Sequence, residues 1–93
     1  MEQSKLKLLL KSILSLESEE ECLGLLEDLC TINEIEDMSH RMEIAYLLNQ
    51  GKTFYDVQAQ TGASSTTISR VSRCLKHGRG YKMVLDKIVD KKS

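Results

Sequence analysis

The sequence predicts an all-α fold, and three observations carry that prediction. The 93 residues include no Pro, no Trp, five Gly and only four aromatics, so the turn-rich, aromatic-rich chemistry of sheets and hairpins is mostly missing. Apolar residues recur at helical spacing along the chain. Between those stretches stand hydroxyl and carboxylate pairs three residues apart and single glycines, which are helix start and stop signals. With 41% hydrophobic and 29% charged residues, the composition is that of a folded globular chain rather than a disordered one. A lone domain of this size buries about 64% of its unfolded surface, a marginal fraction. Self-association is therefore expected from size alone.

Leu6, Leu9, Leu10, Ile13 and Leu14 fall at i, i+3, i+4, i+7 and i+8, one apolar stripe on a first helix over about residues 3–16. Ser18 with Glu21 is a capping box opening a second helix, on which Cys22, Leu25, Leu26, Leu29 and Cys30 repeat the stripe. Glu19, Glu20 and Glu21 suit the positive end of its dipole. Asn33 with Glu36 marks a third start, and Gly51 the stop. Between them Ile35, Met38, Met42 and Ala45 cover one face and Ile44, Leu47 and Leu48 an adjacent one, an arc wide enough for several neighbours. This predicts a central helix. Thr53 with Asp56 opens a short fourth helix through Phe54, Val57 and Gln60, ended by Gly62. Ser64 or Ser65 caps a fifth, with Ile68, Val71 and Leu75 as its buried edge and the run His77, Gly78, Arg79, Gly80 as its end. A sixth, over about residues 81–91, has Met83, Val84, Leu85, Ile88 and Val89 as its apolar set, with Lys91 and Lys92 at the negative end of its dipole.

Several function classes are set aside on residue types. Cys22, Cys30 and Cys74 form no CxxC pair and are odd in number, which argues against a disulfide framework and for a reducing compartment. Cys22 and Cys30 lie about 12 Å apart along one helix, too far to bridge, and buried apolar thiols are expected. Lys5, Lys7 and Lys11 interrupt the N-terminal apolar residues, no small-residue cleavage site follows, and no run reaches membrane-spanning length, so a cytoplasmic protein without membrane association is expected. His40 and His77 lack partners at zinc spacing, so no metal is expected. His77 instead suits the last carbonyls of the fifth helix. A Cys74–His77 pair would be i, i+3 neighbours without an orienting third group, so no enzyme activity is expected. Tyr46, Tyr55 and Tyr81 suit a dimer seam or a domain edge.

The net charge of −1 conceals an uneven distribution. Residues 1–50 carry 4 Lys and Arg against 11 Asp and Glu, a net −7, whereas residues 51–93 carry 9 against 3, a net +6. Arg70, Arg73, Lys76, Arg79 and Lys82 lie in a stretch with no acid, so a polyanion should meet this end.

The segment TFYDVQAQTGASSTTISRVSRCLK has the spacing of a DNA-binding helix-turn-helix over residues 53–76. Val57 packs the first helix, Gly62 permits the positive φ of the turn, and Ile68 and Val71 hold the second helix across it. Gln58, where a small residue is usual, suggests a looser crossing or a longer turn. The outward residues Ser64, Ser65, Thr66, Thr67, Ser69, Arg70, Arg73 and Lys76 include no acid. Short hydroxyls at a helix N-terminus can approach base edges or phosphates, and the cations further along neutralise backbone charge. Phe54, Tyr55 and Gln58 would meet the backbone or groove edge from the preceding helix.

On these residues the chain resembles the tryptophan repressor in its reading head, most closely in TGASSTTISRVSRCLK. Over its full length it is similar to the YerC/YecD group of Trp-repressor-like bacterial proteins. The resemblance implies a single TrpR-like domain over residues 1–93 with six helices, an intertwined homodimer built on residues 1–50, and a C-terminal helix over 80–91. It also implies two reading heads that enter successive major grooves of double-stranded DNA. In the Trp repressor two Arg side chains sandwich the indole. Arg70 matches the first of these, but the second position falls on His40, with Arg41 beside it. Val71 stands where the family has Gly, and Cys74 where it has an amine-binding Ser. These departures imply that tryptophan is not a co-repressor, that no cofactor is required, and that Arg70 serves as a phosphate contact or, with His40, Arg41 and Cys74, lines a site for a different effector.

The sequence thus predicts a homodimeric, sequence-specific DNA-binding transcriptional regulator, most simply a repressor. Two other classes stay open: a helix-turn-helix-shaped protein-interaction module, and a small-ligand sensor with weak DNA binding.

Overall fold

The structure, a computed structural model, describes residues 3–89, and among them there are six helices and no strand: α1 (Gln3–Leu14), α2 (Glu19–Leu29), α3 (Ile32–Asn49), α4 (Phe54–Thr61), α5 (Ser65–His77) and α6 (Gly80–Val89). The all-α class and the six elements in their order are as the sequence predicts. Lys91 and Lys92, expected near the end of the last helix, lie outside the described residues. Two compact units divide the chain, residues 1–35 and residues 36–93.

In the first unit the helix ends are set by local hydrogen bonds. Helix α1 stops two residues short of the expected Leu16, in a tight turn where the Leu16 N–H donates to the Ile13 carbonyl at 3.2 Å. The Ser18 hydroxyl caps α2 by accepting the Glu21 N–H at 3.1 Å. The Glu21 carboxylate reaches back to the Glu17 N–H at 2.9 Å, one residue beyond the partner a capping box would give it. Cys30, expected within this helix, is its extended C-cap. Helix α3 begins before the predicted Asn33. Thr31 and Glu34 exchange reciprocal bonds of 2.8 and 3.1 Å, so the capping box sits two residues earlier and Ile32 joins the helix. Neither α1 nor α2 contains a buried residue, and Leu6, Leu9, Leu10, Ile13 and Leu14 are all exposed.

The second unit has a closed core. Ile44, Ala45 and Leu47 of α3, Val57 of α4, Ala63 of the following turn, Ile68 and Val71 of α5 and Leu85 of α6 form one buried cluster, with Met42, Leu48, Leu75 and Tyr81 packed against it. Every helix of the unit contributes, and α3 contributes most, as its wide apolar arc predicts. Helix α3 ends at Gly51 (φ 91°), where the Gly51 N–H bonds to the Leu48 carbonyl and the Lys52 N–H to the Leu47 carbonyl, a Schellman arrangement. Met83, Val84, Ile88 and Val89 of α6 are exposed, leaving Leu85 as the buried member of the expected apolar set. The thiols of Cys22 and Cys74 are exposed and that of Cys30 is half-buried; all three are free, which corrects the expectation of buried thiols for this single chain.

Candidate nucleic-acid interface

The helix pair α4 and α5 is built from three local devices. Thr53 and Asp56 form a full capping box, the Asp56 N–H donating to the Thr53 hydroxyl at 3.0 Å and the Thr53 N–H to the carboxylate at 3.3 Å. Gly62 closes α4 in the left-handed region at φ 74°, and its N–H bonds to the Gln58 carbonyl. The Ser64 hydroxyl accepts the Thr67 N–H at 3.1 Å and opens α5. The turn is three residues, Gly62, Ala63 and Ser64, with Ala63 buried beneath it. Gln58, which suggested a looser crossing or a longer turn, is exposed, and Val57, Ala63, Ile68 and Val71 are the buried residues of the pair.

Helix α5 is strongly two-sided. At about 100° per residue, Ile68, Val71 and Leu75 share one side, and Thr66, Ser69, Arg70 and Arg73 the other. Ile68 and Val71 are buried, whereas Ser65, Thr66, Ser69, Arg70, Arg73 and Lys76 are all exposed. Thr67 is half-buried, and the Ser64 hydroxyl both caps the helix and donates to the Thr67 hydroxyl at 3.1 Å, so these two build the N-terminus that presents the others. On α4, Phe54 and Tyr55 are exposed, Tyr55 by 79%, and Gln58 follows one turn on. Of the five cations in the acid-free stretch, Lys82 is occupied, donating to the Asn49 side chain at 3.2 Å and lying 3.5 Å from Asp86.

Four residues were candidates for an effector site, and three of them meet. His40 and Arg41 of α3 and Arg70 of α5 line one polar cleft of about 260 Å³, together with Thr66, Thr67 and Asp37. Cys74 lines a different cleft, an apolar one with Met42, Gly78, Gly80, Tyr81 and Val84. Asp37 escaped the sequence reading, although its place three and four residues before His40 and Arg41 sets all three on one helical face. Thr61 escaped as well. Its hydroxyl donates to the Val57 carbonyl at 2.8 Å and accepts the Ala63 N–H at 3.1 Å, and its carbonyl lies 3.3 Å from His40 Nε2. No group of three or more His, Cys, Asp and Glu side chains able to hold a metal ion occurs among the described residues, and no described helix is long and apolar enough to cross a membrane.

Six helices, a glycine-turned helix pair and an α5 outer face that carries cations and no carboxylate of its own describe an all-helical protein with the features of a DNA-binding regulator. Comparison with known proteins places it further. Residues 4–89 match the family described as Trp repressor protein, and the chain belongs to that family. It is 49% identical over 81 residues to the uncharacterised protein YerC of Bacillus subtilis (strain 168), a match covering 86% of this chain and 78% of that one. A TrpR-like protein from Eubacterium eligens ATCC 27750 superposes with a TM-score of 0.87 at 40% identity, covering 97% of this chain and 94% of its own. A Staphylococcus aureus protein described as a candidate Trp repressor superposes equally well, with a TM-score of 0.87 at 41% identity over 97% and 91% of the two chains.

Proposed function

We propose that this chain is a homodimeric, sequence-specific DNA-binding regulator of transcription, a repressor that occludes its promoter and reads a two-fold operator through residues 64–76. The observation that carries the reading is the outer side of α5, where Ser65, Thr66, Ser69, Arg70, Arg73 and Lys76 are exposed with no carboxylate among them. Arg73 and Lys76 neutralise phosphates, the hydroxyls of Ser65, Thr66 and Ser69 approach base edges, and Phe54, Tyr55 and Gln58 meet the backbone from α4. The unburied apolar stripes of α1 and α2 support the dimer, with residues 1–50 as its seam. Two heads on a two-fold axis call for inverted half-sites about one helical turn apart. The protein works in the cytoplasm and needs no cofactor.

Selection of bound fragments from genomic DNA tests the reading and identifies the operator. With roughly six phosphate contacts, affinity for the selected duplex should fall about a thousandfold between 50 and 200 mM salt. A salt-insensitive complex, or none, would favour a protein-interaction module instead. The polar cleft lined by Asp37, His40, Arg41 and Arg70 supports a second reading, a sensor for a small polar effector. Thermal shift against amino acids and indoles checks it: tryptophan should leave the melting temperature unchanged, whereas a saturable rise would establish a ligand.

A further inference from the structure

We infer that His40 is a positioning residue of the reading head: its ring fastens the turn between α4 and α5 to the central helix α3, so that a side chain of the protein itself holds α5 in its outward pose. The inference rests on the DNA-binding reading for its consequence but not for its geometry. His40 Nε2 lies 3.3 Å from the carbonyl oxygen of Thr61, the last residue of α4. A carbonyl can only accept, so the fastening uses the tautomer that carries its proton on Nε2. That carbonyl is one of the orphan acceptors at a helix C-terminus, and within the half-buried surroundings of His40 it gains a partner from another helix.

The position of the fastening gives it leverage. Directly after Thr61 come Gly62, with a left-handed backbone and open space around it, and Ala63, whose side chain alone is sunk in the core. The drive to bury that methyl is non-directional and sets chiefly how deep the turn sits. Hydrogen bonds add direction. The Thr61 hydroxyl ties the turn internally, to the Val57 carbonyl and the Ala63 N–H, and His40 ties it externally to α3. Ser64 and the whole hydroxyl-bearing first turn of α5 follow immediately, so a small rotation at Thr61 displaces Ser65 and Thr66 together.

The test compares His40→Leu, which keeps bulk without a donor, with His40→Gln, which restores an N–H at similar reach. Two amides report on the turn directly: Gly62, bonded to the Gln58 carbonyl, and Ala63, bonded to the Thr61 hydroxyl. In His40→Leu both should exchange hydrogen roughly three- to tenfold faster, the range set by one hydrogen bond, while the amides of Ile44 to Leu47 keep their wild-type rates. His40→Gln should return both to near the wild-type rate. Affinity for the duplex selected above should follow the same pattern, lost three- to tenfold in the Leu variant and regained in the Gln variant. Unchanged exchange at Gly62 and Ala63 in His40→Leu would overturn the inference, as would faster exchange spread evenly over the core or faster exchange with undiminished DNA affinity. If the wild-type protein itself shows no salt-dependent DNA binding, the regulator reading fails, and the exchange rates still decide whether His40 is the fastener.

Discussion

At Gly62 the backbone turns through φ 74°, and a Cβ placed there would meet nothing within 4 Å. The cost of a side chain is therefore conformational and not steric. Gly62→Ala should lower stability by about 1 kcal/mol, read as a shifted denaturation midpoint with an unchanged slope. The outward residues of α5 divide by reach. Arg73 carries its charge on a long flexible stem, and Thr66, at the second position of the helix, is short; under the proposed function Arg73 would meet phosphates whatever the sequence, whereas the contact of Thr66 would depend on which base lies opposite. Arg73→Ala should weaken binding to all duplexes alike and flatten the salt dependence by about one phosphate contact, while Thr66→Ala should change the ranking among duplexes. Titrating both variants against the selected operator and a scrambled duplex checks the division, and matching effects would refute it.

Among the elements, α5 was the most legible in the sequence, because its buried edge, its cap and its glycine stop all agree and involve only neighbours in the chain. Ser64→Ala tests that cap. It should cost about 1 kcal/mol and fray the turn bearing Ser65 and Thr66, so DNA affinity should fall although every other side chain of the face is unchanged. Chemical denaturation beside a binding titration measures the two effects. The start of α3 was misread for a physical reason: Thr31 with Glu34 and Asn33 with Glu36 both satisfy the same local pattern, and the earlier pair prevails because it satisfies the Thr31 and Glu34 N–H groups while adding Ile32 to the helix. The polar cleft was only half legible. Arg70, His40 and Arg41 entered through resemblance; Asp37 shares a helical face with His40 and Arg41, but that this face and Arg70 line one cleft, and that Cys74 lines another, depends on tertiary placement that no local spacing encodes. The tie between His40 and Thr61 is of the same long-range kind.

For the molecule as a whole, the decisive contrast is between a second unit whose core draws on four helices and a first unit whose two helices bury no side chain. Leu9 of α1 is 39% exposed, and were that surface wet in solution, Leu9→Glu would change stability by less than about 0.5 kcal/mol. If the stripe instead lies in the seam of a homodimer, the same substitution buries a carboxylate among apolar side chains, and the dimer should not survive it. Sedimentation equilibrium should therefore show a dimer for the wild type and a monomer or unfolded chain for Leu9→Glu. The wild-type melting temperature should also climb with protein concentration, as mass action requires when folding and association are coupled. A monomeric wild type with a concentration-independent melting temperature would leave the stripes of α1 and α2 unexplained and remove the two-fold operator with them, because a single head has no reason to prefer inverted half-sites.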